Sequence, residues 1–425
     1  MTIIRRLFIL SWFLILLVGC TPAPSNSNVT VSTQPSPSPS ASPSPSPATE
    51  TAQVQVTLPL LDALLTDDKF VARVKQNLKV SDQQIDELKR VSGGAVAQLR
   101  ESNAEDVDEN DGNPRERAEE QLRSVLGEEK ARDLSKLANE YWSKGDPSEA
   151  SNDNLQMLKG PNAVPTDTRV VVNIPAFRMD LFQDGSLVKS YKVGIGYPQF
   201  PLPLGLRKAQ QIIFNPTWTP PDSPWVAKMK NVAPGETVEA GDKDNPLGPI
   251  KIPIGLPSLI HGGKSPARIG KFASHGCVGL TNAQIKDFAV QLGKAAGTPN
   301  IADKLDTYLE DKEKTQTVKL NQTIPVELRY ETIVIEDGKL HIYRDVYAQD
   351  TNTEENLRSV LEANGLKLED LSEQQRTQIL NALKSPVKKE IVVDLGTVAQ
   401  KGYPAPVDLS TGTADKTDKK RGSRT

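Results

Sequence analysis

Two cysteines and three histidines are the residues of this chain best suited to nucleophilic chemistry. Cys277 ends the run Ser274, His275, Gly276, Cys277, and His261 lies upstream of it. A thiol becomes a nucleophile when a nearby imidazole removes its proton. His275 is so close in sequence that its side chain tends to point elsewhere, whereas a loop can return His261 to the thiol. Gly276 lets the backbone bend and present successive N–H groups to an oxyanion.

The alternative is a small buried cysteine beside a core histidine. A lone cysteine favours that reading, but the joint pattern of His-Gly followed by Ser-His-Gly-Cys favours a catalytic site. The pattern therefore predicts Cys277 as nucleophile, His261 as its base, and Ser274, His275 and Gly276 as supports of the oxyanion loop.

Residues 261–282 resemble the signature of the L,D-transpeptidase catalytic family, in which a His-Gly precedes Ser/Thr-His-Gly-Cys. The resemblance extends to further segments and covers roughly residues 168–350, under half of the chain. These segments are 170–196, 215–221, 245–249 and 326–347.

The resemblance implies an acyltransferase that acts on peptidoglycan stem tetrapeptides. Cys277 would attack the diaminopimelate carbonyl at the bond to the terminal D-alanine, with His261 as general base and then acid. The backbone N–H groups of His275, Gly276 and Cys277 would hold the oxyanion. The amine of a second stem would resolve the thioester, and no cofactor or metal is required because the thiolate supplies the nucleophile.

Four further residues are predicted to contact substrate: Gly262, Arg268, Asn282 and Trp218. For Trp218 the alternative is that it braces the sheet. One position departs from the family pattern, because Gly279 stands two residues after the cysteine where the family usually has arginine. The change removes a guanidinium from the site, and Arg268 is the candidate to replace it.

Two other functions remain open. Water could replace the acceptor amine on the same thioester path, which would give an L,D-carboxypeptidase or an amide hydrolase. The chain could instead be a catalytically idle wall-binding lipoprotein, which the loss of arginine at position 279 would permit. Five retained residues argue against that second alternative: His261, Ser274, His275, Gly276 and Cys277.

The first twenty residues have the pattern of a bacterial lipoprotein signal. Arg5 and Arg6 precede an apolar run over residues 7–18, which is too short for a stable bilayer anchor. The run ends in Leu-Val-Gly-Cys, so we expect lipid attachment at Cys20 and a protein held in the cell envelope, facing the periplasm or the outer side of a membrane. An ordinary signal peptide is the alternative. The net charge of −3 gives no reason to expect a nucleic-acid partner.

The sequence predicts a multidomain protein in which a mainly-β catalytic domain with a helix after the catalytic loop is flanked by an N-terminal all-α region and a C-terminal helical hairpin. Ser81 and Ser372 each begin a capping-box pattern, and Asp184-Gly185 predicts a hairpin turn. The predicted segments are a signal peptide at 1–20, a Pro/Ser-rich disordered linker at 21–57, a helical region at 58–147, the catalytic domain at 165–350, a helical hairpin with an extension at 351–400, and a disordered tail at 401–425.

Overall fold

The computed structural model describes residues 56–102, 114–144, 155–220, 226, 229–255, 258–396 and 402–412. Cys20, the predicted signal peptide and nearly all of the predicted linker lie outside the described residues. No helix in the described ranges is both long enough and apolar enough to cross a membrane.

The N-terminal region is helical, as the sequence predicted. Its capping signals act where expected, because Ser81 and Gln84 exchange backbone–side-chain hydrogen bonds at 3.1 and 3.2 Å before one helix. Pro114 opens another helix, where its missing N–H costs nothing. The helices are α1 (Leu58–Leu65), α2 (Asp68–Leu78), α3 (Asp82–Ser102), α4 (Pro114–Leu126) and α5 (Glu128–Lys144).

A mixed eight-stranded sheet forms the centre of the chain. The strand order is β3-β2-β1-β10-β5-β6-β7-β9, with parallel pairs at β1–β10 and β7–β9. A two-stranded parallel sheet, β4 with β8, lies beside it. The strands are β1 (Arg169–Asn173), β2 (Arg178–Gln183), β3 (Ser186–Lys192), β4 (Ile195–Gly196), β5 (Gly205–Phe214), β6 (Ile250–Pro253), β7 (Leu259–His261), β8 (Phe272–Ser274), β9 (Val278–Gly279) and β10 (Gln316–Arg329).

Local sequence explains several of these strands. Val170, Val171 and Val172 are β-branched, and all three are buried in β1. Asp184 and Gly185 both have positive φ, which is the conformation that a two-residue hairpin requires. The predicted hairpin between β2 and β3 is therefore confirmed.

The predicted helix after the catalytic loop is α6 (Asn282–Ala295), followed by α7 (Ile301–Glu310). Thr281 caps α6 in a full capping box with Gln284. Ile285, Phe288 and Leu292 are fully buried on one face and join the sheet and the N-terminal helices in one continuous core. This packing fixes the start of α6 against the loop that carries the candidate site.

The C-terminal part of the described chain has its own core and a different boundary from the predicted one. Strands β11 (Ile333–Glu336) and β12 (Lys339–Ile342) pair with each other and with β13 (Ile391–Asp394) rather than with the central sheet. They cover α8 (Glu354–Ala363) and α9 (Glu373–Leu383). The expected catalytic segment 165–350 thus includes β11 and β12, which belong to the C-terminal sheet and not to the central one. Alternation alone identifies strands, but it does not identify their partners.

The prediction of a disordered tail from residue 401 is wrong for residues 402–412. Ser410 accepts a hydrogen bond from Lys192 N at 2.9 Å and donates one to Ser190 O at 3.0 Å, along the edge of β3. Gln284 Nε2 also donates to the Ser410 carbonyl at 2.9 Å. Main-chain pairing with an open sheet edge orders this segment despite its polar composition.

Candidate active site

The β7–β9 pair places the candidate nucleophile beside the candidate base. Ile260 pairs with Val278, and His261 pairs with Gly279. Ile260 and Val278 are fully buried, so alternation puts His261 and Gly279 on the opposite face. Cys277 directly precedes β9, and its thiol interacts with the Leu259 backbone on β7. A strand spacing of about 4.8 Å and a rise of about 3.3 Å per residue put the Cα atoms of Cys277 and His261 roughly 8 Å apart.

The hydrogen bonding of His261 defines its tautomer. Nδ1 lies 2.8 Å from the Gly262 carbonyl oxygen. A carbonyl can only accept, so in the neutral ring the proton is assigned to Nδ1 and the lone pair to Nε2. His261 therefore has the tautomer that a general base needs.

Burial lowers the pKa of His261 to about 3, and the positive charge of Lys264 adds to that shift. The side chain is only 3% exposed. The Gly262 and Leu247 carbonyls favour the protonated ring, but they do not offset the loss of solvation. The ring is consequently neutral throughout the physiological range.

Burial also raises the pKa of the Cys277 thiol, while the Leu259 backbone and the charge of Lys264 act in the opposite direction. Each pKa shift favours the uncharged form of its residue, so the resting pair is a Cys277 thiol with a neutral His261 imidazole. A nucleophilic role for Cys277 would require the thiol proton to move to His261 during attack, rather than before substrate arrives. The thiol forms no disulfide.

Ser274 closes the turn that carries the nucleophile. Its hydroxyl accepts a hydrogen bond from Cys277 N at 3.0 Å and donates to the Cys277 carbonyl. The Cys277 N–H is thus already engaged, in contrast to the prediction that it joins the oxyanion site. Short-range hydroxyl–backbone bonding of this kind competes with other uses of an N–H. The N–H groups of His275 and Gly276 remain the candidate oxyanion donors.

Gly276 needs to be glycine in this turn. Its φ is +95°, a conformation that is costly for residues with a Cβ. Its carbonyl accepts a hydrogen bond from the buried Ser258 hydroxyl at 2.8 Å. The His275 ring packs against the rings of Tyr197 and Phe200, with centroids 5.4 and 4.8 Å away. These contacts fix the backbone of the turn on both sides of Gly276.

Residues 167–304 match the family model of the L,D-transpeptidase catalytic domain. This segment belongs to that family.

Comparison with curated proteins supports the assignment of the L,D-transpeptidase domain. The probable L,D-transpeptidase YbiS of Escherichia coli (strain K12) is 34% identical over 124 residues, which are 28% of this chain and 39% of that protein. The same values hold for the protein of that name from Escherichia coli O6:H1. The chain spans about two fifths of the length of the curated relatives it matches.

Solved structures of the same family are also similar to this chain. The catalytic domain of the E. faecium L,D-transpeptidase has 17% identity and a TM-score of 0.26, over 39% of this chain and 99% of that one. The L,D-transpeptidase from Mycobacterium smegmatis has 16% identity and a TM-score of 0.23, over 38% of this chain and 58% of that one.

The residues predicted to contact substrate occupy different places in the L,D-transpeptidase domain. Asn282 Oδ1 accepts a hydrogen bond from Gly263 N at 2.8 Å, so the start of α6 holds the loop after His261. A Cβ at Gly262 would lie 2.8 Å from Ile285, which shows how closely that loop packs on α6. Arg268 is exposed at the end of a 3₁₀ turn and donates to the Tyr197 hydroxyl at 3.2 Å. Their contact with substrate stays a prediction.

Trp218 lies in a small separate cluster with Val226 and Leu247. It is 8% exposed, and its backbone exchanges hydrogen bonds with Val238 at 3.0 and 2.8 Å. This burial favours the alternative in which Trp218 braces a loop.

Sequence reasoning missed a contact from the helical region. Trp142, near the end of α5, packs on the turn, because a Cβ at Gly276 would lie 3.5 Å from Trp142 Cζ2. Thr57 also donates from its hydroxyl to the Gln199 carbonyl at 2.8 Å, close to Phe200. The helices therefore contact the loops that hold the nucleophile. Trp142 stands on an amphipathic helix, and its sequence context gives no signal of which partner it meets.

The described residues contain no group of three or more His, Cys, Asp or Glu side chains that could hold a metal ion.

The low pKa of His261 makes the folded state sensitive to acid. The unfolded histidine has a pKa near 6.5 and binds a proton that the folded ring accepts only near pH 3. The contribution of the neutral His261 to the free energy of unfolding is therefore fully present above about pH 6.5. It falls as the pH is lowered, by about 2 kcal/mol at pH 5. His261→Gln cannot titrate, so its urea midpoint should fall less between pH 7 and pH 5 than that of the parent. Equal falls in both proteins would contradict the buried neutral state.

Proposed function

We propose that this protein is an L,D-transpeptidase that cross-links peptidoglycan stems through an acyl-enzyme on Cys277. The observation that supports the proposal is the pairing of β7 with β9, whose register brings Cys277 toward a neutral His261 that carries its proton on Nδ1. A positioned thiol and base with backbone donors is an arrangement suited to acyl transfer. The family of residues 167–304 supports the same chemistry.

In the acylation half, His261 Nε2 takes the proton of the thiol as sulfur attacks the diaminopimelate carbonyl of a stem tetrapeptide. The carbonyl oxygen becomes an oxyanion that accepts hydrogen bonds from the N–H groups of the turn. The intermediate collapses by breaking the C–N bond, and the imidazolium gives its proton to the leaving amine of D-alanine. The products are a thioester on Cys277 and free D-alanine.

In the second half, the side-chain amine of another stem attacks the thioester carbonyl, and His261 accepts the proton that the amine loses. The C–S bond then breaks, and the thiolate recovers its proton from the imidazolium. Water in place of the amine would instead give a shortened stem and make the protein a carboxypeptidase. The acyl-enzyme is common to both outcomes.

A muropeptide assay distinguishes these outcomes. The full chain in detergent is incubated with tetrapeptide muropeptides, and products are measured by mass spectrometry with Cys277→Ala as control. We expect cross-linked dimers that have lost D-alanine. Tripeptides alone would indicate carboxypeptidase activity. Unchanged tetrapeptides would contradict both enzymatic functions and favour an idle wall-binding protein.

We also propose that the protein is lipid-anchored at Cys20 in the cell envelope. The support is the sequence pattern that precedes Cys20, which lies outside the described residues. A membrane location would place the catalytic domain close to peptidoglycan.

A further inference from the structure

Gly279 is the position at which this chain departs from the pattern of its family, and the structure shows what fills the space. A Cβ at Gly279 would lie 2.8 Å from Lys264 Cγ, 2.9 Å from Cε and 3.3 Å from Cδ. Real Cβ atoms rarely make contacts shorter than 3.0 Å, so a side chain at 279 would displace the lysine stem. The Lys264 side chain therefore lies along the backbone of Gly279.

The need for glycine at 279 is spatial and not conformational. Gly279 is absent from the glycines with positive φ, unlike Gly276, so other residues could adopt its backbone angles. A side chain at this position would instead have to displace the stem of Lys264. The two residues are thus linked, because the small residue on β9 makes room for the long cation from the loop after β7.

A backbone hydrogen bond holds Lys264 in place, and its side chain interacts with both His261 and Cys277. Its N–H donates to the Leu280 carbonyl at 3.1 Å, directly after β9. Gly279, over which the side chain passes, pairs with His261 and stands two residues after Cys277. The ammonium is therefore delivered to the sheet face that presents the imidazole.

We propose that Lys264 is a positioning residue of this site, which acts through Cys277 by placing a positive charge over Gly279 beside the developing thiolate. The inference rests on the proposed acyl-enzyme function and assigns Lys264, rather than Arg268, as the residue that supplies the missing family cation.

The electrostatics agree with this placement. The charge of Lys264 lowers the pKa of Cys277 against the effect of burial, and it also lowers the pKa of His261. Burial lowers the pKa of Lys264 itself, while a Cys277 thiolate would raise it. Two other cations act at this site: Arg268 lowers the pKa of Lys264, and Lys251 lowers the pKa of His261. Lys264 thus makes the thiolate easier to form and the resting imidazolium harder to form.

The first test measures thiolate formation without substrate. Iodoacetamide labelling of Cys277 in the full chain is followed against pH in the parent, Lys264→Met and Lys264→Arg. Methionine keeps an unbranched stem over Gly279 but loses the charge, so labelling at pH 8 should slow by roughly three- to tenfold with an upward shift of the profile. Arginine keeps the charge and should restore labelling. Lys271→Ala removes a charge from the same loop and should leave the profile unchanged.

The second test uses the steric link between the two positions. Gly279→Ala should impair acylation in the parent, because the new Cβ meets Lys264. The same change in a Lys264→Ala background should cost little further. The inference would be overturned if Gly279→Ala lowered acylation equally in both backgrounds. It would also be overturned if Lys264→Met left the pH profile of labelling unchanged. Labelling does not depend on muropeptide turnover, so a protein that labels as expected but processes no muropeptide would refute the proposed function alone.

Discussion

Replacing Cys277 by alanine is expected to abolish both turnover of muropeptides and covalent acylation. The register of β7 and β9 brings the Cys277 thiol toward His261, and no other group of the turn can form a thioester. Intact-mass analysis with a carbapenem should show one adduct on the parent and none on Cys277→Ala. The reactive lactam carbonyl makes the same demand for thiolate and oxyanion donors as the scissile bond.

Cys20→Ala is the matched control for that experiment. It removes the other cysteine of the chain, so it should keep full acylation and turnover. If Cys20 is lipidated, the variant should also move from the membrane fraction to the soluble fraction. Full turnover by Cys277→Ala would refute the assignment of the nucleophile.

His261→Ala is expected to lower the rate of acylation by roughly 10²–10⁴, the usual contribution of a positioned acid–base group. The resting pair is uncharged, because burial disfavours both the imidazolium and the thiolate. The substitution should therefore leave the pH profile of iodoacetamide labelling near that of the parent at neutral pH, while acylation by substrate falls. The acylation rate should fall because two steps lose their acid–base group. These steps are the removal of the thiol proton during attack and the protonation of the leaving amine.

His341→Ala is the matched control for the base. His341 lies on β12, outside the central sheet, and bonds Glu390 at 2.7 Å. Its loss should leave acylation unchanged. If His275→Ala, and not His261→Ala, abolished acylation with normal labelling, the base would be His275 and the assignment of roles would be reversed.

The sequence by itself determined the residue types of the site and much of the local structure. A thiol in Ser-His-Gly-Cys with an upstream His-Gly identifies its chemistry, because few residue combinations can activate a cysteine. The Asp184-Gly185 turn and the capping boxes at Ser81 and Ser372 were predictable because their hydrogen bonds join residues only a few positions apart.

Only the tertiary structure decided how distant segments meet. The parallel pairing of β7 with β9 brings His261 toward Cys277. The pairing of β11 and β12 with β13 places these strands outside the central sheet, so the catalytic domain ends earlier than the sequence predicted. Lys264 reaches Gly279 for the same reason, since their contact is set by strand register and side-chain reach. The pKa values of Cys277 and His261 likewise depend on burial by residues far along the chain, and that desolvation arises only when the sheet, its loops and α6 pack together.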